Sequence, residues 1–327
     1  MKTKFFFKSS YSFLIGLFFI PLFISCENSS DDISANFRIE NLTVENYPDV
    51  DGSTSTEPLQ VLIACKLFDL DYSWVYTSFW YKYNYRIMPS VESNPDAAKF
   101  ITEQIYHHGT HSSFVRLINK NADLILTART TSDDEQDLAD SLGIELIETP
   151  IALDAFVFLN NIHNPVNSLT TNEIQDIYTG NIKYWSEVGG TNTQISPYQR
   201  NSNSGSQELM KSLVMKDLQM PDFPDMIIYG MMGLINRIEY DKEGLGYSVN
   251  YYTKYMARSD SIKHISVDGV KPDYNSIKNQ KYGYTTTVYA IIRNDLEINS
   301  EAYKLYELLS RASGQKVVQE SGYIPYK

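Results

Sequence analysis

The sequence predicts an α/β protein, and three observations point to this architecture. Strand-like and helix-like segments alternate along the chain, which favours a parallel or mixed sheet flanked by helices. Of the 327 residues, 43% are hydrophobic and 21% are charged, as in an ordinary globular protein. A chain of about 300 residues can bury a large core, and at this length it commonly divides into two compact lobes.

Local patterns of apolar, β-branched and charged residues predict the individual elements. Pro58 suits a first helical turn, ADLILT (122–127) and AFVFLN (155–160) are typical of buried strands, and TTTVYAIIR (285–293) is rich in β-branched residues. The predicted strands are residues 39–44, 122–127, 144–147, 155–160 and 285–293. The predicted helices are residues 58–68, 97–107, 133–142, 171–178, 207–215, 231–240 and 300–312.

The N-terminus has the pattern of a targeting segment. Three lysines within residues 1–8 precede an apolar run at 11–24, which is too short to span a bilayer comfortably. Ser25 and Cys26 then resemble a bacterial lipobox, which predicts a lipoprotein signal peptide at 1–25, lipidation of Cys26 and a tether at 26–37. The alternative is an ordinary signal peptide with an incidental cysteine. The acidic run at 27–32 resembles a surface-export signal, so either a periplasmic or an outer-surface location fits.

Charge and cysteine content exclude several classes of protein. The formal net charge is −12 and basic residues form no cluster, which argues against binding to nucleic acid. Cys26 and Cys65 are the only cysteines, so a disulfide framework and a cysteine zinc site are excluded. Cys65 lies in an apolar run and is expected to be a small core residue.

Four clusters of Ser, Thr and Gly each stand just before a predicted helix. They occupy residues 51–59, 109–114, 127–135 and 200–207. Thr54 with Glu57, and Ser132 with Glu135, have the spacing of capping boxes. The hydroxyls outnumber what caps require, and Arg200 adds a forked donor that suits a tetrahedral anion. Together the clusters predict a small oxyanion held by helix N-termini and hydroxyls.

Residues 47–327 resemble the periplasmic phosphate-binding proteins of phosphate ABC transporters, within the type II periplasmic-binding superfamily. The segments that carry the resemblance are 51–59, 121–135, 148–170, 173–190, 199–210 and 244–252. It implies a two-lobed fold in which each lobe has a mixed sheet flanked by helices. Lobe one would comprise 38–153 and 284–327, lobe two 154–283, and 152–159 with 285–292 would form the hinge. It also implies a monomer that performs no chemical step, needs no cofactor, binds inorganic phosphate or a related oxyanion, and delivers it to a membrane permease.

The resemblance also implies a set of ligand-binding residues, shared between the two lobes. These are Ser53, Thr54, Ser55, Thr110, Ser112, Thr127, Arg129, Arg200, Ser204, Gly205 and Ser206. One position departs from the family, whose best-known members carry an aspartate that accepts the proton of phosphate in the second loop; here that stretch reads Thr127-Ala128-Arg129. Asp51 and Asp154 are candidate replacements. Arg129 could contact the anion or pair with an acid across the lobe interface.

Other interpretations stay open at this point. His107, His108 and His111, with Glu103 one turn earlier, could suggest a metal site, although no metal is expected because the flanking loop is explained by oxyanion binding. A phosphatase would need an activated nucleophile or metals, which the pattern does not supply. A surface lipoprotein could have kept the fold for sensing, scavenging or adhesion with another ligand. The aromatic stretch 72–86 could be a platform for a sugar or a partner protein, or a hairpin whose rings pack into the core.

Overall fold

The structure is a computed structural model that describes residues 37–79, 82–221 and 224–326. The predicted signal peptide, the lipidation site at Cys26 and nearly all of the predicted tether lie outside the described residues. Within the described ranges, no helix is long and apolar enough to cross a membrane.

Two mixed sheets share one long strand, β5 (Leu146–Asn161). The first part of β5 pairs antiparallel with β13 (Thr285–Arg293). On its other side β13 pairs with β4 (Leu124–Thr127), and β4 pairs in parallel with β1 (Val50–Gly52). From Phe156 onward β5 instead pairs with β10 (Gly244–Val249) and β11 (Ile262–His264), and β10 pairs in parallel with β7 (Ser196–Pro197). The backbone therefore passes from one lobe to the other inside a single strand.

Short strands and helices complete the two lobes. The remaining strands are β2 (Tyr72–Phe79), β3 (Lys82–Pro89), β6 (Ser168–Leu169), β8 (Gln199–Arg200), β9 (Ile227–Ile228), β12 (Ser266–Val267) and β14 (Ile324–Pro325). The α-helices are α1 (Glu57–Leu67), α2 (Pro95–Gln104), α3 (Thr110–Ile118), α4 (Asp133–Leu142), α5 (Thr171–Thr179), α6 (Gly205–Leu209), α7 (Met231–Tyr240), α8 (Tyr274–Lys278), α9 (Glu301–Ser310) and α10 (Ala312–Glu320). Thr54–Thr56, Trp185–Val188 and Pro224–Met226 are 3₁₀ turns, and Met210–Met215 and Tyr252–Ala257 are π-helical.

Most predicted elements are confirmed, and the exceptions have physical causes. Residues 39–44 form no strand, because Asn41 takes a positive φ of 61° and the Asn46 side chain accepts the Thr43 N–H. The separate strands expected at 144–147 and 155–160 are parts of the continuous β5. Helix α10 was not predicted, since the helix expected at 300–312 ends near Ser310 and a new helix follows at once.

The aromatic stretch 72–86 forms the hairpin of β2 and β3. Trp74 stacks on Tyr255 with ring centroids 6.2 Å apart. The Arg258 guanidinium lies 5.0 Å from the Trp74 ring centroid and 4.1 Å from that of Tyr85, so it contacts both strands of the hairpin. Cation–π contacts of this kind are worth about 0.5–2 kcal/mol each. They join the hairpin to the segment that follows β10.

Asp154 lies where β5 passes between the two sheets. Its side chain is 2% exposed. One carboxylate oxygen, Oδ1, accepts hydrogen bonds from the backbone N–H groups of Ala155 (2.8 Å) and Tyr251 (2.9 Å). The other oxygen has no hydrogen-bond partner among the described residues. Burial outweighs the two hydrogen bonds and raises the pKa of Asp154 to about 7.

This raised pKa predicts a pH-dependent stability. The native state keeps the Asp154 proton at pH values where the unfolded chain has lost it, so the free energy of unfolding falls as pH rises through the folded-state pKa. Relative to Asp154→Asn, the wild type should lose about 1.4 kcal/mol between about pH 6 and pH 8. Urea unfolding of both proteins at several pH values measures this difference. Parallel pH profiles would contradict the predicted titration.

Candidate oxyanion site

A cavity of about 350 Å³ lies between the two sheets, and polar groups make up most of its walls. Ten of the eleven predicted site residues line it: Ser53, Thr54, Ser55, Thr110, Ser112, Arg129, Arg200, Ser204, Gly205 and Ser206. They belong to the N-terminal turns of three helical segments, which begin at Thr54, Thr110 and Gly205, and to two neighbouring loops. Unsatisfied N–H groups and the positive dipole ends of helices favour an anion at such a place.

Hydrogen bonds hold the loop after β1 against the end of β4. The Thr56 hydroxyl donates to the carbonyl oxygens of Ser53 (2.9 Å) and Leu126 (2.7 Å). Ser53 Oγ accepts the Ala128 N–H at 3.2 Å and lies 2.9 Å from Thr110 Oγ1, so it joins three of the polar loops. A Cβ on Gly52 would come within 2.2 Å of the Leu126 carbonyl oxygen, so only glycine permits this close approach.

Arg200 contributes a guanidinium group with no partner charge among the described residues. The residue is 7% exposed, and its backbone N–H donates to Gln207 Oε1 and to the Tyr247 hydroxyl oxygen. Its Nε donates to the Ile228 carbonyl oxygen at 3.0 Å. No described carboxylate forms an ion pair with Arg200, and no described residue accepts a hydrogen bond from its two Nη atoms. Burial lowers the pKa of Arg200, which is the cost of holding this charge away from water.

Arg129 is also buried, but a carboxylate neutralises it. Its Nη1 and Nη2 each donate to Glu135 of α4 at 2.7 Å, and its guanidinium lies 5.2 Å from the Phe114 ring centroid. The acid therefore comes from a helix close in sequence, not from across the lobe interface. Glu135 also accepts the Ser132 N–H at 2.9 Å, which confirms the predicted capping box. The Thr127 hydroxyl donates to the Arg129 carbonyl oxygen at 2.7 Å, and Thr127 is the one predicted site residue that does not line the cavity.

The other predicted capping box is wrong. No side chain caps the 3₁₀ turn that begins at Thr54 or the helix α1 that follows Thr56. The Glu57 carboxylate instead accepts a hydrogen bond from Arg86 and lies 3.7 Å from His107 Nε2. A nearby guanidinium offers Glu57 a charge-assisted partner, which is stronger than a neutral backbone N–H.

The three clustered histidines face three different carboxylates. His107 approaches Glu57, His108 Nδ1 lies 2.6 Å from Asp51 Oδ2, and His111 Nδ1 lies 3.0 Å from Glu135 Oε1. The imidazoles therefore do not converge on one point. Ligand atoms of His111, Asp134 and Glu135 do lie within 4.8 Å of one another, but Glu135 is already paired with Arg129.

The part of the wall at the start of α7 was not identified from the sequence. Tyr229, Gly230 and Met231 line the cavity at the start of α7, where Gly230 adopts a φ of 75° as the N-cap. A glycine directly before an apolar helix was the available signal, but no Ser or Thr accompanies it.

A family model described as a PBP superfamily domain matches residues 91–304. The chain belongs to the PBP superfamily. Curated relatives include the phosphate-binding protein PstS of Borreliella burgdorferi, 25% identical over 186 residues, which are 55% of this chain and 66% of the relative. PstS of Staphylococcus epidermidis is 23% identical over 227 residues, which are 66% of this chain and 67% of the relative. The chain thus matches about two thirds of the length of these relatives.

Solved structures confirm the two-lobed α/β fold. A putative phosphate ABC transporter substrate-binding protein with bound phosphate, from Clostridium perfringens, gives a TM-score of 0.64 at 21% identity, covering 85% of this chain and 98% of the other. An ABC-type phosphate transport receptor from Vibrio cholerae gives a TM-score of 0.57 at 18% identity, covering 85% of this chain and 99% of the other.

The Arg129–Glu135 pair predicts a large loss of stability when its acid is neutralised. Glu135→Gln keeps the size of the side chain but leaves a buried guanidinium without a carboxylate, which should cost about 3 kcal/mol. The matched control is Asp137→Asn on the exposed face of α4, where a change within about 0.5 kcal/mol is expected. Urea unfolding measures both. If the two variants were equally stable, the pair would not support the loop.

Proposed function

We propose that this protein is an extracytoplasmic solute-binding protein that captures inorganic phosphate between its two lobes and presents it to an ABC permease. The observation that carries the proposal is Arg200, a buried guanidinium without an ion pair among the described residues, in the wall of a hydroxyl-lined cavity. Burying an unpaired charge costs several kcal/mol, so a bound anion is the partner that makes this arrangement favourable.

The proposed site residues and lobes are those of the sequence analysis, except that Thr127 supports the site from behind the wall. Lobe one comprises 38–153 and 284–327, and lobe two comprises 154–283. Capture is binding without a chemical step. The names of the PstS relatives support phosphate as the ligand.

The number of donors is sufficient for useful affinity. A hydrogen bond to a charged group is worth about 1.5–3 kcal/mol. About eight such bonds, less the costs of desolvation and lobe closure, can provide the roughly 8 kcal/mol that corresponds to micromolar binding.

Contacts across the cleft support capture by closure. A Cβ on Gly205 would lie 2.5 Å from Thr110 Oγ1, so the two walls almost touch at the site. Asn203 Nδ2 also donates to Asp134 Oδ2 at 3.2 Å across the same gap. A ligand that contacts both walls stabilises this closed arrangement over an open one, and a permease can recognise the difference. In this proposal lipidated Cys26 holds the protein at the membrane of the cell envelope.

The first test removes the unpaired cation. Arg200→Ala should weaken phosphate binding at least tenfold, because it removes a charge-assisted forked contact worth over about 1.4 kcal/mol. Isothermal titration of the stripped protein measures the change, with Arg311→Ala, a largely exposed arginine after α9, as the control. Unchanged affinity in Arg200→Ala would refute the proposed site.

The second test obstructs closure. Gly205→Ala places a methyl group against Thr110, so the two lobes cannot approach fully and phosphate affinity should fall about tenfold or more. Gly283→Ala is the matched control, because a Cβ there meets nothing within 4 Å. Small-angle scattering with phosphate should show a more open Gly205→Ala variant than the control. Wild-type affinity and wild-type scattering in Gly205→Ala would refute closure at this contact.

A further inference from the structure

The walls of the cavity contain no carboxylate among the described residues. Side chains in the wall that can hydrogen-bond are hydroxyls, amides, the two imidazoles of His108 and His111, and the guanidinium groups of Arg129 and Arg200. This composition affects which anions can bind, because an ionised carboxylate can only accept hydrogen bonds and therefore repels an anion that has no proton to donate.

Both acids that could have replaced the missing acceptor are occupied elsewhere. Asp51 is 1% exposed, and its oxygens accept the N–H groups of Gly52 (2.7 Å) and His108 (2.9 Å) and lie 2.8 Å from Arg116 Nε. Asp154 lines a different cavity at the hinge, beside Tyr251 and Tyr323. Neither carboxylate reaches the oxyanion cavity.

The buried acids near the site instead lie behind its cations and imidazoles. Asp51 contacts His108 Nδ1, and Glu135 contacts Arg129 and His111 Nδ1. Because a carboxylate accepts from each Nδ1, the Nε2 atom of each ring is the nitrogen left for a ligand. Nε2 accepts a hydrogen bond from an O–H group when the ring is neutral, and its N–H donates one to an unprotonated oxygen when the ring is protonated.

Each type of wall side chain that can accept a hydrogen bond from phosphate can therefore also donate one to an anion that has no proton, since a hydroxyl or an imidazole can do either and an amide carries both an acceptor and donors. We infer that the site binds tetrahedral oxyanions as a class, accepting fully deprotonated sulfate as well as phosphate. The inference rests on the proposed function and specifies its range of ligands. Ala128 lines the cavity and donates its N–H to Ser53 Oγ. It is therefore the position at which a carboxylate would make the site discriminate between phosphate and sulfate.

Isothermal titration of the full-length protein with sodium phosphate and with sodium sulfate tests the inference. The protein is stripped of bound anion by partial unfolding, and titrated in Tris chloride, because sulfonate buffers carry competing oxyanion groups. Sulfate should bind with a Kd within about tenfold of the phosphate Kd. Phosphate binding with sulfate at least a hundredfold weaker would overturn this inference and leave the proposed function standing. Absence of binding by both anions would overturn both.

A matched pair of variants tests the physical reason. Ala128→Asp introduces an acceptor that only protonated anions tolerate, so sulfate affinity should fall at least tenfold more than phosphate affinity. Ala128→Asn has nearly the same size without the charge, and should lower the two affinities to the same extent. Circular dichroism establishes that both variants fold. Equal losses for the two anions in folded Ala128→Asp would contradict the assigned role of wall charge.

Discussion

The continuity of strand β5 is the constraint on which the rest of the structure depends. Its 16 residues belong to two sheets, with β13 as partner up to Ala155 and β10 as partner from Phe156. Since neither sheet can shift without the strand, the loops that leave their edges meet at a defined cleft. The hydroxyl clusters near β1, β4 and β8 reach one cavity because these strands end beside that cleft.

The electrostatics of the site follow a simple division between its two walls. In the wall built from the first half of the chain, buried carboxylates sit behind the polar groups and fix their orientation, as Glu135 does for Arg129. In the opposite wall, no carboxylate within residues 37–79, 82–221 and 224–326 pairs with Arg200, so its charge is left uncompensated there. One wall is therefore preorganised and close to neutral, whereas the other carries the net positive charge that an anion requires.

Sequence reasoning succeeded where chemistry is local and failed where it depends on distant partners. Capping spacing identified Ser132 with Glu135, and hydroxyl-rich loops before helices identified most of the cavity wall. The same spacing failed at Thr54 and Glu57, because Arg86 on a distant strand competes for the carboxylate. Arg129 pairs with Glu135, and the Thr127 side chain does not line the cavity. Both results depend on side-chain directions at the end of β4, which no pattern in one sequence encodes.

The contacts of Tyr323 limit how early the site can form during synthesis of the chain, because Tyr323 lies far along the chain from the loop that it contacts. Its ring stacks on Tyr251 with centroids 3.7 Å apart, and its hydroxyl donates to the Ser55 carbonyl oxygen at 2.9 Å, a contact between residues 268 positions apart. Pairing of β13 with β4 is similarly non-local. Loops of this length close slowly, so the sheet of β1, β4 and β13 is completed only after the strands β7, β10 and β11 of the other sheet have been synthesised. In a chain of this topology that enters a membrane pore N-terminus first, the sheet of β1, β4 and β13 therefore stays incomplete until nearly all of the chain has been made.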